Sequence, residues 1–229
     1  MKVAATSKLA LAAGFVALAL GAIPAEASLV YTLNTPNAAL SSATGPYGTV
    51  TVTRTSGTTA TLSFDALSGF VFGGAQAIAA NINATSFTAS GASFTVAFPP
   101  PTTQAIIGSG PMQADGFGNF NQAYDLFDGY TNSVTHFQFN VTSTSGPAWL
   151  ADANVLTGNN LGNVLAAHVF ACNSNPCIET GPGSGASATG WATTSGFPSS
   201  STVAEPNSSS LALLALGLLG AGFWTRRKV

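Results

Sequence analysis

Residues 115–130 combine aromatic rings with oxygen-bearing side chains in a pattern typical of a ligand site. Exposed rings would stack on sugars, while carboxylates and amides would bind sugar hydroxyls or Ca²⁺. If the rings instead fill a core, the pattern is structural, so their exposure decides between the two interpretations. Phe120, Phe127 and Tyr130 add further rings to the segment. The candidate ligand residues are Asp115, Phe117, Asn119, Asn121, Tyr124, Asp125 and Asp128.

Metal binding is only weakly indicated by this segment. Asp115, Asn119 and Asn121 do not follow the ligand spacing of an EF-hand loop. The two histidines and two cysteines of the chain lack the close histidine spacing of a zinc site. We therefore expect no metal and no cofactor, with Ca²⁺ as a minor alternative.

Catalysis is not expected from the residues present. Asp125 and Asp128 would be the paired carboxylates of a glycosidase, but no Lys or Arg lies near them in the sequence to position a substrate. Aspartates in Gly- and Asn-rich segments are commonly turn residues. His136 and His168 are the only histidines, and no G-x-S-x-G motif presents a serine nucleophile. A non-enzymatic protein is predicted, with glycosidase activity as the less favoured alternative.

The body of the chain, residues 28–203, contains very few charges. Arg54 is its one basic residue, set against six acidic residues, so its net charge is −5. A body with this balance cannot neutralise phosphates, which excludes nucleic acid as a partner. Ser, Thr, Asn and Gly supply the polarity instead, as is typical of extracellular matrix domains. The acidic residues are Asp65, Asp115, Asp125, Asp128, Asp152 and Glu179.

The two cysteines, Cys172 and Cys177, are predicted to form a disulfide that closes a short loop. Such a bond stabilises the folded state by about 2 kcal/mol in the chain-entropy treatment. The loop fits a final hairpin in which Cys172 follows one strand and Trp191 lies on the next.

Period-two alternation predicts that β-strands run through most of the body. The clearest strand places Phe137, Phe139 and Val141 inward and His136 toward solvent. The same alternation places Val50 and Val52 on one face of the strand at 48–54, and Leu62 and Phe64 inward. Many short strands with turn residues between them predict an all-β protein, an antiparallel β-sandwich of jelly-roll type, in residues 28–194. The predicted strands are residues 48–54, 59–64, 70–72, 87–89, 93–98, 134–141, 163–171 and 190–193.

Residues 1–27 have the layout of a secretory signal peptide. A lysine-containing start precedes an apolar stretch at 9–22, and Ala25 and Ala27 form a small-residue cleavage site before Ser28. This pattern predicts handling by signal peptidase and the export machinery. An uncleaved anchor is the alternative, but the apolar stretch is short for a membrane span.

A second targeting segment, residues 203–229, follows a Ser-, Gly- and Pro-rich linker at 195–202. Its apolar run at about 208–225 predicts a transmembrane helix about 27 Å long, which would span a thin bilayer. A buried core helix is the alternative, but the run has no polar face. The basic residues after the run are expected to stay on the cytoplasmic side. They are Arg226, Arg227 and Lys228.

The motif Val203-Ala204-Glu205-Pro206, the apolar run and the basic end together resemble the PEP-CTERM sorting signal of Gram-negative bacteria. Ala204 stands where the family has its first proline, whereas Glu205 and Pro206 match. The resemblance implies that the inner membrane holds the protein until an exosortase processes it and passes it to the envelope or exterior. It also implies a link to exopolysaccharide or biofilm matrix.

The body, including residues 115–130, is similar to bodies often carried by such sorting tails, which supports the fold but implies no chemistry. From these features we expect an exported surface or extracellular-matrix protein with a structural or interaction role. The alternative is a carbohydrate- or Ca²⁺-binding β-sandwich module.

Overall fold

The computed structural model describes residues 28–98, 107–126, 129–178 and 185–194, without the side chains of residues 75, 107–109 and 126. The predicted signal peptide, linker and sorting tail lie outside these ranges, and so do Phe127 and Asp128. Within the described ranges, no helix combines the length and the apolar composition needed to cross a membrane.

The described residues form β-strands joined by turns and three single-turn 3₁₀ helices. The all-β, antiparallel class predicted from the sequence is confirmed. The 3₁₀ helices are Ala38–Leu40, Tyr130–Asn132 and Asp152–Asn154. The strands are β1 (Ser28–Pro36), β2 (Gly48–Arg54), β3 (Thr59–Ala66), β4 (Phe70–Phe72), β5 (Gly74–Ala80), β6 (Ser86–Val96), β7 (Ile107–Ser109), β8 (Met112–Ala114), β9 (Gly118–Phe120), β10 (Gln122–Leu126), β11 (Val134–Ser145), β12 (Leu165–Cys172) and β13 (Ala186–Thr194).

All strands except β8 and β9 belong to one antiparallel sheet that closes on itself. The closed part runs in the order β13, β1, β2, β3, β11, β4 and β12, and β12 pairs again with β13. The pair Val134–Phe72 links β11 to β4. β6 pairs with the other edge of β11, while β5, β10 and β7 continue the sheet from β12. β8 and β9 form a separate hairpin.

The apolar core lies inside this closed sheet, because alternating residues of each strand point inward. The Tyr124 ring of β10 lies 4.9 and 4.7 Å from the rings of Phe137 and Phe139. Trp149 is fully buried, and its Nε1–H donates to the Asn83 carbonyl at 2.8 Å. The residues predicted to face inward are all fully buried: Val50, Val52, Leu62, Phe64, Phe137, Phe139 and Val141.

Several elements differ from the sequence prediction, which contains none of the strands β7, β8, β9 and β10. β1 was not predicted, although Leu29, Tyr31 and Leu33 alternate inward along it. Residues 75–83, which show no clear pattern, lie mainly in β5. The two strands predicted at 87–89 and 93–98 are one strand, β6, because a bulge keeps the chain paired with β11 between them.

The predicted disulfide is confirmed, since Cys172 and Cys177 are bonded with their Cα atoms 5.3 Å apart. The bond closes the loop that follows β12, and both cysteines pack against the buried cluster of Val71, Phe98 and Tyr130. β12 and β13 form the antiparallel final hairpin that the sequence predicts.

His168 is held at the junction between β4 and β5. Its Nδ1 lies 2.6 Å from the Gly73 carbonyl oxygen, which can only accept, so Nδ1 carries the proton. The rings of Phe170 and Trp191 pack edge-on at 5.4 Å. Burial lowers the pKa of His168, although the hydrogen bond to Gly73 opposes this effect.

The lowered pKa of His168 predicts acid sensitivity. The unfolded chain takes up this proton more readily than the folded chain, so stability falls as the pH drops below about 6.5 and levels off below the folded-state pKa. Urea unfolding between pH 8 and pH 4.5 should show this slope, at most about 1.4 kcal/mol per pH unit from one histidine. His168→Asn should reduce the slope, whereas an unchanged slope would contradict this assignment.

Candidate functional site

The described aromatic rings of segment 115–130 are buried. Phe117 and Phe120 pack with Trp191 under the β8–β9 hairpin, Tyr124 lies in the main core, and Tyr130 packs against Phe98. Burial raises the pKa of Tyr124 to about 12. These rings therefore have no exposed face on which a sugar could stack, and the core interpretation of the segment is the one that the structure supports.

The polar residues of the same segment mainly fasten it to the body. Asn121 Oδ1 accepts from the Ile82 N–H at 2.7 Å, and its Nδ2 donates to the Ile82 carbonyl at 2.8 Å. Asp125 is half-buried on β10, opposite Ile107. Asn119 and Asp115 are exposed, and the Asp115 carboxylate accepts from Asn37 at 3.1 Å.

Asn37 is the buried hub that holds this region together. Its Oδ1 accepts from the backbone N–H groups of Leu40 and Trp191 at 3.2 and 3.1 Å, while its Nδ2 reaches Asp115. On the other side of the hairpin, the amides of Asn159 and Asn163 both donate to the Phe117 carbonyl. These contacts assign a structural role to the segment.

Metal ligation finds little support in the described part of the chain. No group of three or more His, Cys, Asp or Glu side chains lies close enough there to hold a metal ion. Asp128, one member of the candidate ligand set, lies outside the described residues. Ca²⁺ binding stays a prediction.

His136 forms a side-chain hydrogen bond on the outer surface, with its Nδ1 2.7 Å from Asp65 Oδ1. The Ser63 hydroxyl hydrogen-bonds the other carboxylate oxygen of Asp65 at 3.2 Å. A serine nucleophile needs the imidazole between itself and the carboxylate. Here the carboxylate lies between the serine and the imidazole, so these three residues do not form a catalytic triad.

The outer face of β1, β2, β3, β11 and β6 carries a regular array of polar side chains, which we call the polar grid. Strand pairing aligns it in three rows of five residues, with neighbouring strands about 4.8 Å apart. The rows are Thr32, Thr49, Asp65, His136 and Thr95; Val30, Thr51, Ser63, Gln138 and Ser93; and Ser28, Thr53, Thr61, Asn140 and Ser90.

The polar grid offers hydroxyl and amide groups to solvent with little charge. None of its residues is buried, and Val30 is its one apolar member. Some groups bond to each other, as Thr61 Oγ1 does to Asn140 Oδ1 at 2.7 Å. Hydroxyls and amides both donate and accept, so they match the hydroxyl groups of a polysaccharide. Each net contact is weak in water, so binding would need many contacts along a polymer.

Arg54, the basic residue of the body, does not belong to the grid. It follows Val50 and Val52 in the inward alternation of β2, and its backbone N–H donates to Asp152 Oδ1 at 2.7 Å. Burial and the charge of Asp152 raise the pKa of the neighbouring Tyr31 to about 12. The grid therefore contains no Lys or Arg, and its one carboxyl side chain is that of Asp65.

Alternation within each strand indicated part of the polar grid but not its alignment. The sequence places Thr49, Thr51 and Thr53 on one face of β2, and His136 on the outer face of β11. Which residues stand side by side depends on the strand order and register, which the sequence pattern does not reveal. The contact between Asp65 and His136 was missed for this reason.

Comparisons with protein-family models, with curated proteins and with solved structures give no significant match to this chain. Its function must therefore be inferred from the chemistry of its own residues.

The hub role of Asn37 predicts a large effect of one substitution. Asn37→Ala removes the acceptor of the buried Trp191 N–H, whereas the Leu40 N–H keeps its bond to the Asn37 carbonyl. The substitution should lower the free energy of unfolding by about 1–3 kcal/mol. Asn119→Ala, an exposed amide on the same hairpin, should change it by less than about 0.5 kcal/mol. Urea unfolding of both variants measures the difference, and equal stabilities would contradict the structural role of Asn37.

Proposed function

We propose that this protein is an exported, non-catalytic component of the cell surface or extracellular matrix, and that its polar grid binds exopolysaccharide. The observation that carries the proposal is the grid itself, an outer sheet face in which hydroxyls and amides occupy nearly every position. Such a face suits a neutral or weakly charged polymer, because it holds one carboxylate and no Lys or Arg.

Export rests on the two chain ends. The signal peptide at 1–27 and the tail at 203–229, which resembles a PEP-CTERM signal, predict passage through the inner membrane and processing by an exosortase. The disulfide between Cys172 and Cys177 fits an oxidising compartment. A body held outside the cell would be in contact with exopolysaccharide, to which the resemblance to a PEP-CTERM signal links the protein.

Within the all-β class, we propose that the closed sheet is a two-layered β-sandwich. β6, β11, β3, β2 and β1 form one layer, and β13, β12, β5, β10 and β7 form the other, joined at β13 and β4. In this arrangement the apolar core fills the space between the layers, and the polar grid is the outer face of the first layer. The jelly-roll connection order stays a prediction.

The proposal moves the binding surface away from segment 115–130. Since the described rings of that segment are buried, a carbohydrate site there would require the hairpin to leave the body. The polar grid needs no such rearrangement, because all of its side chains already reach solvent at least in part.

Retention on exopolysaccharide from the producing cells tests this function. Thr51→Ala/Ser63→Ala/Gln138→Ala removes three groups from the middle row and should weaken retention roughly tenfold or more, since each lost hydrogen bond contributes about 0.5–1.5 kcal/mol. The matched control, Ser42→Ala/Gln113→Ala/Thr189→Ala, removes the same three residue types from exposed positions outside the grid and should bind normally.

Two outcomes would contradict the proposal. Equal retention of both triple variants would remove the grid from the binding surface. Recovery of the mature protein from the cytoplasm after fractionation would contradict the export part, whatever the binding result.

A further inference from the structure

β6 is a long strand at the edge of the sheet. It spans 11 residues and pairs with β11 on one side, and no strand of the described residues pairs with its other side. It contains neither a charged residue nor a proline. Charge and proline are the usual protections of an exposed edge against strand addition. An edge of this kind is therefore open to pairing with another chain.

The sequence of β6 is nearly symmetric about its centre, which lies between Ser90 and Gly91. Small or chemically similar residues stand at equal distances on either side of this point. Moving outward, the mirror pairs are Ala89 and Ala92, Thr88 and Ser93, Phe87 and Phe94, and Ser86 and Thr95.

The bulge in β6 makes this symmetry compatible with strand pairing. Phe87 and Phe94 are seven residues apart and would face opposite sides of a regular strand. The register shift opposite Phe139 adds one residue, with Gly91 at φ 62°, so that Phe87 and Phe94 both pack against the core. Residues directly opposite in an antiparallel pair share a face, as these mirror pairs do.

We propose that the edge of β6 that faces away from β11 binds a second copy of this chain, with the two β6 strands antiparallel about a two-fold axis at Ser90–Gly91. Each Phe87 ring, half-buried in one copy, then lies beside Phe94 of the other copy. Thr88 lies beside Ser93 on the outer face, and no charges meet. The partner is a second copy because only an identical strand reproduces every mirror pair.

This assembly joins two polar grids into one continuous outer face. β6 supplies Ser90, Ser93 and Thr95 to the end of each grid row. A two-fold axis perpendicular to the sheet keeps both outer faces on the same side, so the second copy doubles the width of the surface. Self-association itself does not depend on polysaccharide binding.

The pairing of Thr88 with Ser93 allows a charge-swap test. Sedimentation at low salt should show wild-type mature protein, recovered from its exporting host, as a dimer. Thr88→Lys/Ser93→Lys places Lys opposite Lys at both mirror pairs and should weaken association at least about tenfold. Thr88→Lys/Ser93→Glu differs from the Lys/Lys variant only at position 93 and places Lys opposite Glu. It should therefore associate about as tightly as wild type.

Circular dichroism and thermal unfolding of both variants verify the fold, since these exposed side chains do not contribute to the core. Wild-type protein that stays monomeric up to about 100 μM would overturn the proposal. Equal association of the Lys/Lys and Lys/Glu variants would also overturn it, because another edge or register must then form the contact.

Discussion

The two-residue alternation of β11 is the constraint on which the rest of the structure depends. Phe137 and Phe139 enter the core, while His136, Gln138 and Asn140 stand on the outer face. A slip of one residue would exchange the two faces and bury polar groups in place of rings. β3 and β6 pair along the two edges of the same strand, so this register also sets the alignment of the polar grid.

Closure of the sheet separates an aromatic core from an outer face with little charge. Aromatic side chains, including Tyr124 and Trp149, are buried in the core, whereas hydroxyl and amide side chains cover the outer face of the polar grid. A surface of that kind interacts weakly at each point but over a wide area, which suits a polymer ligand. It also leaves the edge of β6 without the charges that would repel a second copy.

Much of the fold could be predicted from local pattern, and much of the site could not. Strict alternation predicted β2, β3 and β11 with the correct inward residues, and proximity in sequence predicted the bond between Cys172 and Cys177. Segment 115–130 was ambiguous, because its burial depends on distant partners such as Asn37 and Trp191. The polar grid depends on strand order and register, which only tertiary pairing determines.

Hydroxyl-radical footprinting of the mature protein, with and without exopolysaccharide from the producing cells, tests the central claim most directly. His136 is the residue that β11 contributes to the first row of the polar grid, whereas Leu161 and Ile178 are 60% and 51% exposed outside the grid. We expect the polysaccharide to reduce oxidation of His136 severalfold and to leave Leu161 and Ile178 unchanged. Protection of the two aliphatic residues without protection of His136 would contradict the assignment of the polar grid as the binding surface.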